Sequence, residues 1–240
     1  MNGNSLLLKI KQDLQRVADP KRAAVSQRYF KTGKGEYAEG DKFLGVAVPQ
    51  TRIVAGKYWK EISLEEVVEL MASKFHEERL LALLIMVKKF EKGDEPEKKN
   101  IFDLYLANTK YINNWDLVDL SAPNIVGAYL QNKDKKILLE LAKSKNLWER
   151  RIAMLATFCF IKNGDWRVAQ KIAAILLNDK QDLIHKAVGW MLRETGKHCG
   201  QEIEEKFLRK HYRNMPRTML RYAIERFDEP KRQDYLTGRA

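Results

Sequence analysis

The chain has 240 residues, of which 44 are Lys or Arg and 32 are Asp or Glu, giving a formal net charge of +12 that favours an anionic partner. At 45% hydrophobic residues it can bury a sizeable core, which excludes a disordered tail and a disulfide-stapled miniprotein. Its two cysteines, Cys159 and Cys199, form no CxxC pair and support neither a disulfide framework nor a Cys-rich zinc site.

From the N-terminus, Met1-Asn2-Gly3-Asn4 offers no basic leader, and a reducing, cytoplasmic setting is expected. Asp19-Pro20 reads as a helix start, with a side-chain oxygen to cap exposed N–H groups and a proline where a missing N–H costs little. Residues 31–45 then hold four of the thirteen glycines and cannot sustain a helix. They read as a loop or short hairpin turning near Glu39-Gly40-Asp41, with Tyr37 and Phe43 on facing arms and Lys31, Lys34 and Lys42 around them. Any β structure should be confined to residues 31–48. A phosphate-binding P-loop is excluded because no GxxxxGK[ST] occurs and no apolar strand precedes the glycines.

Beyond this stretch the apolar spacing is helical almost everywhere. Ser63-Leu-Glu-Glu66 opens a segment carrying Leu64, Val67, Val68 and Met71. The longest apolar run, Leu80 to Val87, has eight residues where a membrane span needs about twenty, so no membrane association is expected. Asp94-Glu-Pro96 and Asn163-Gly164-Asp165 mark further starts, Ile137, Leu138 and Leu141 share one face, and Pro123 should kink or end a helix. Trp148 reads as core, and the tail from Glu229 as one short helix. About a dozen helices joined by short loops make an all-α chain, read as a single domain over residues 1–240.

The helices repeat. Glu77-Glu78-Arg79-Leu80 aligns with Glu149-Arg150-Arg151-Ile152 at an offset of 72, Asn113-Asn114-Trp115 fills the gap at 36, and a further step of 35 carries Arg151 to Lys186. A period near 36 built of helix pairs predicts a HEAT-like α-solenoid. Equivalent positions then form rows: Arg79, Trp115, Arg151, Lys186, and one turn later Leu83, Asp119, Leu155, Trp190. Trp115 and Asp119 share a helix face, as do Lys186 and Trp190. Basic residues interleaved with tryptophans suit a nucleic acid, with Arg79, Arg151, Lys186 and Arg193 on phosphates and the rings against sugar or base. The four histidines show no HExxH or HxxxH spacing, so no metal site is expected, and no GxSxG suggests a hydrolase triad.

At these residues the sequence resembles the DNA alkylation repair family, the HEAT-like-repeat alkylpurine DNA glycosylases of the AlkD type. The resemblance covers most of the chain. It is carried by Asn114-Trp-Asp-Leu-Val-Asp119, by Asn146-Leu-Trp-Glu-Arg-Arg151-Ile-Ala, and most specifically by His185-Lys-Ala-Val-Gly-Trp-Met-Leu-Arg-Glu194. Arg28-Tyr29-Phe30 resembles the family's DNA-contacting tyrosine segment. By resemblance, Trp115 and Trp190 flank the lesion nucleotide, Asp119 is the catalytic carboxylate, Arg151 binds the DNA backbone and Tyr29 touches DNA. The activity implied is hydrolysis of the N-glycosidic bond of cationic N3- or N7-alkylated purines in duplex DNA, by a monomer that needs no metal or organic cofactor. The glycine-rich segment also resembles the hairpin of paralogues that bind branched DNA without established glycosylase activity. Under that alternative, Lys34 and Lys42 would contact DNA beside Tyr37 and Phe43.

Overall fold

The computed structural model describes residues 3–240 as helices joined by mostly short connections, the exception being the long loop between Tyr29 and Val48. Met1 and Asn2, the start of the segment read as lacking a leader, lie outside the described residues. The chain divides into two compact units, one ending at Ser121 and the other running from Ala122 to Ala240. No helix among the described residues is long and apolar enough to cross a membrane.

The first unit contains α1 (Gly3–Arg16), α2 (Pro20–Tyr29), α3 (Val48–Tyr58), α4 (Leu64–Met71), α5 (His76–Lys92), α6 (Glu95–Ala107) and α7 (Trp115–Ser121). Local chemistry sets the starts: the Asp19 carboxylate accepts from the N–H groups of Lys21 and Arg22, and reciprocal side-chain–backbone caps join Ser63 to Glu66 and Asp94 to Glu97. α1 packs on α3, α3 on α5 and α5 on α7, while α4 and α6 flank α5. Contact between every second helix is what repeated helix pairs produce when equivalent helices stack. The apolar run from Leu80 to Val87 lies in α5 and is buried along its length.

The second unit opens on a π-helical turn, Pro123–Gly127, followed by α8 (Ala128–Leu130), α9 (Lys136–Leu141), α10 (Leu147–Lys162), α11 (Arg167–Ile175), α12 (Asp182–Cys199), α13 (Gln201–His211), α14 (Arg217–Ala223) and α15 (Glu229–Thr237). Pro123 interrupts the helical ladder as expected, and the Gly127 N–H reaches back five residues to the Ala122 carbonyl at 2.9 Å. α10 packs on α12 and α12 on α14, the same alternation as in the first unit. Trp148 is buried in α10.

Of the loop or hairpin expected at 31–48, the structure forms the loop. Bonds from Glu36 N–H to the Gly33 carbonyl, Glu39 N–H to Glu36 and Asp41 N–H to Ala38 fold it into consecutive turns, and the Glu36 and Glu39 carboxylates take the Gly33 and Gly35 N–H groups. These short-range bonds use the groups that two facing arms would need. The isolated β-bridge is parallel and joins Lys42 to Phe75, so β pairing reaches outside the expected stretch. The loop closes against α2, where the Asp19 N–H donates to the Leu44 carbonyl. Gly45 has φ +82°, and a Cβ there would lie 2.0 Å from the Asp19 carbonyl oxygen, so this approach requires glycine.

Candidate nucleic-acid interface

In the first unit an aromatic cluster assembles from three separate segments. Tyr29 and Phe30 end α2, Phe43 comes from the loop, and Trp115 begins α7. Trp115 and Phe30 stack with centroids 5.3 Å apart at 16°, and Phe30 and Phe43 stack at 5.1 Å and 21°. Tyr29 meets the Trp115 ring edge-on at 6.1 Å and is 65% exposed. The tyrosine and tryptophan picked out from sequence are therefore neighbours.

Behind these rings lies a buried charge network. His76, at the start of α5, packs against Phe43 at 4.7 Å and Phe30 at 5.0 Å. Its Nε2 is 2.8 Å from Asp116 Oδ2, and its Nδ1 lies 3.7 Å from Asp41 Oδ2, close enough for attraction between charges. Burial opposes an imidazolium here, but Asp116 first and Asp41 second outweigh it and push the His76 pKa up to about 9. Asp41 also receives Arg79 Nη2 at 2.5 Å and Asn113 Nδ2 at 3.1 Å. Burial disfavours its charged form, yet His76, Arg79 and Asn113 hold it below the ordinary carboxylate range.

This network corrects one expectation from the repeat register. Arg79 is 4% exposed, and its guanidinium also donates to the Ser73 carbonyl at 2.8 Å. It therefore ties the glycine-rich loop to α5 and is not presented to phosphates. The sequence offered no local signal for its partner, because Asp41 is 38 residues away.

Trp115 and Asp119 lie one turn apart on α7, both partly exposed. Asp116, by contrast, is buried, binds His76 and accepts the Leu117 N–H at 2.9 Å. Asp119 is thus the more exposed of the two carboxylates of α7. Lys34 and Lys42 are exposed on the loop.

In the second unit, Trp190 projects from α12, partly exposed. Its indole N–H donates to Glu194 Oε1 at 3.3 Å, and its ring lies 6.1 Å from Phe158. Arg151 is 4% exposed and donates to the Leu183 carbonyl at 2.5 Å. Lys186 pairs with Asp182 at 2.7 Å, and Arg193 is paired with Glu225 and lies 3.6 Å from Glu194. Arg79, Arg151 and Lys186 fall at matching places, each about one turn into its helix, whereas Trp115, the other member of that row, is the first residue of α7.

Sequence reasoning missed His76, Asp41 and Asp116 around the aromatic cluster of the first unit, and Glu194 beside Trp190 in the second. His76 carries no metal-ligand spacing in the sequence, and its partners Asp41 and Asp116 are 35 and 40 positions distant. Among the described residues no group of His, Cys, Asp and Glu is arranged to hold a metal ion.

A solved structure described as a predicted DNA alkylation repair enzyme from Enterococcus faecalis is similar in fold, with a TM-score of 0.67 and 16% identity over 88% of this chain and 97% of that chain. No curated protein matches the sequence. Residues 10–227 match the family of DNA alkylation repair enzymes, and the chain belongs to that family.

Proposed function

We propose that this protein releases cationic N3- or N7-alkylated purines from DNA by hydrolysing the N-glycosidic bond. Alkylation leaves the purine positively charged and already a good leaving group. The remaining task is to stabilise the oxocarbenium-like sugar while water replaces the base. A fixed carboxylate beside electron-rich rings does this through charge and cation–π attraction. Asp119 takes the role of carboxylate, with Trp115 as the ring one turn away on the same helix; by resemblance, Trp190 of the second unit is the other ring that meets the lesion nucleotide.

The observation that carries the reading is on α7. Trp115 is braced by Phe30 and Tyr29, and Asp119 follows it by one turn, partly exposed where Asp116 is buried. The family match supplies DNA as the partner class. Tyr29, Lys186, Lys34 and Lys42 are proposed to contact DNA; Arg151, expected from the resemblance to bind the DNA backbone, is as buried as Arg79 and donates to the Leu183 carbonyl, so it is not presented to phosphates. Arg193, paired with Glu225, would have to exchange that partner for a phosphate.

The test is release of N7-methylguanine or N3-methyladenine against the DNA-only rate. Asp119→Asn should lose on the order of a hundredfold of the acceleration with little change in DNA affinity, because the charge matters mainly as positive charge develops on the sugar. A second reading, structure-specific DNA binding without catalysis, is favoured by the exposed Lys34 and Lys42 on the glycine-rich loop. Release no faster than the control, with tight four-way-junction binding retained, would decide for it.

A further inference from the structure

Arg22, Val25, Ser26 and Tyr29 recur at helical spacing on α2 and line a cleft of about 340 Å³, faced by Phe30 and Phe43. That volume is at the lower end of small-ligand sites. α2 contains no buried residue, and Val25 and Tyr29 are 59% and 65% exposed. A helix that leaves its apolar side on water is not explained by packing of its own unit.

The rim is of opposite character. α2 carries Lys21, Arg22 and Arg28, all exposed, and no acidic residue. Two chemistries thus meet along one helix: cations suited to phosphate, and stacked rings that reject phosphate but accept a flat, weakly polar ring. The formal charges lining the cleft also cancel, with Arg22 and His76 against Glu77 and Asp116, so a neutral ring can enter without an unbalanced charge being buried. Glu77 offers a ligand nothing, because its carboxylate already accepts the N–H groups of Leu44, Gly45 and Val46.

We propose that this cleft takes an unpaired nucleobase of DNA, with the flanking phosphates on Lys21, Arg22 and Arg28. A base within a paired duplex is enclosed in its own stack and cannot reach the cleft. A bulged or single-stranded base can stack on Phe43 and Tyr29, and such stacking tolerates any base because each has a π face. The cleft would therefore distinguish interrupted from continuous duplex. This goes beyond the glycosylase reading and does not depend on it.

The test measures binding of the full chain to three DNAs free of alkylation: a duplex with one unpaired base, the same duplex with an abasic site there, and the fully paired duplex. Wild-type protein should bind the unpaired base about tenfold more tightly than the abasic bulge at equal salt. Val25→Trp fills the cleft from an exposed position and should abolish that preference while leaving paired-duplex affinity within about twofold. Tyr29→Ala should reduce the preference by about fivefold. Equal wild-type affinity for the unpaired base and the abasic bulge, or a preference that survives Val25→Trp, would overturn the proposal. Because no lesion is present, the outcome is independent of whether any base is excised.

Discussion

His76 shows how a residue without catalytic spacing can organise a site. It is 2% exposed, flanked by two carboxylates and packed against two phenylalanines, so its charge links the loop at Asp41 to α7 at Asp116. Its pKa rises from 6.5 to about 9 on folding, so its contribution to stability is complete below about pH 6.5 and is lost as pH rises through about 9. Urea unfolding of wild type and His76→Gln should show an added wild-type stability on the order of 2–3 kcal/mol near neutral pH that shrinks towards pH 10. A wild-type advantage that does not vary with pH would mean that His76 is held neutral. None of this was legible beforehand, because the two carboxylates come from segments 35 and 40 residues away from His76 and nothing in a single sequence marks them as its neighbours. Tyr29, Trp115 and Trp190 could be singled out beforehand because they sit in recognisable local motifs; their roles remain part of the proposal.

At the scale of elements, α12 explains why the segment Lys186-Ala-Val-Gly-Trp190 is restrictive. A Cβ on Gly189 would lie 2.4 Å from the Met219 carbonyl oxygen and 2.5 Å from Tyr222 Cβ, so this glycine lets α12 and α14 approach closely. Alanine favours a helix over glycine by up to about 1 kcal/mol, but a clash with backbone at that distance forces the helices apart. Gly189→Ala should therefore destabilise the protein by about 1–3 kcal/mol in thermal or denaturant unfolding; unchanged or increased stability would show that the crossing relaxes freely. The helices themselves were readable from capping boxes and apolar spacing, and the interruption at Pro123 from one misplaced proline, though not that it takes the form of a π turn. The segment at 31–45 was readable as non-helical but not as consecutive turns, because its geometry is fixed by Glu36, Glu39 and contacts with Lys74 and Glu77 that sequence spacing does not encode.

For the whole molecule, the excess of +12 predicts an electrostatic contribution to DNA affinity, but not every cation shares in it. Arg79 with Asp41 and Arg150 with Asp179 are ion pairs within their units, at 2.5 and 2.6 Å, and their charge is spent internally. Lys186 is intermediate, since its pair with Asp182 is at the surface and can be exchanged for a phosphate at little cost. Each phosphate neutralised by a cation contributes about 0.9 to the slope of log K against log salt. Lys34→Ala and Lys42→Ala should each lower the slope for duplex DNA by about that amount if the loop contacts the backbone, and Lys186→Ala should do the same. Arg79→Gln should behave in the opposite manner. It removes one partner of a buried pair, so it should lower folding stability by about 3–5 kcal/mol while the folded fraction keeps the wild-type salt slope. Binding isotherms across a salt series, read beside unfolding curves for the same variants, separate the two effects. A reduced slope with unchanged stability for Arg79→Gln would return that arginine to the DNA-binding surface and overturn the division between structural and phosphate-binding cations.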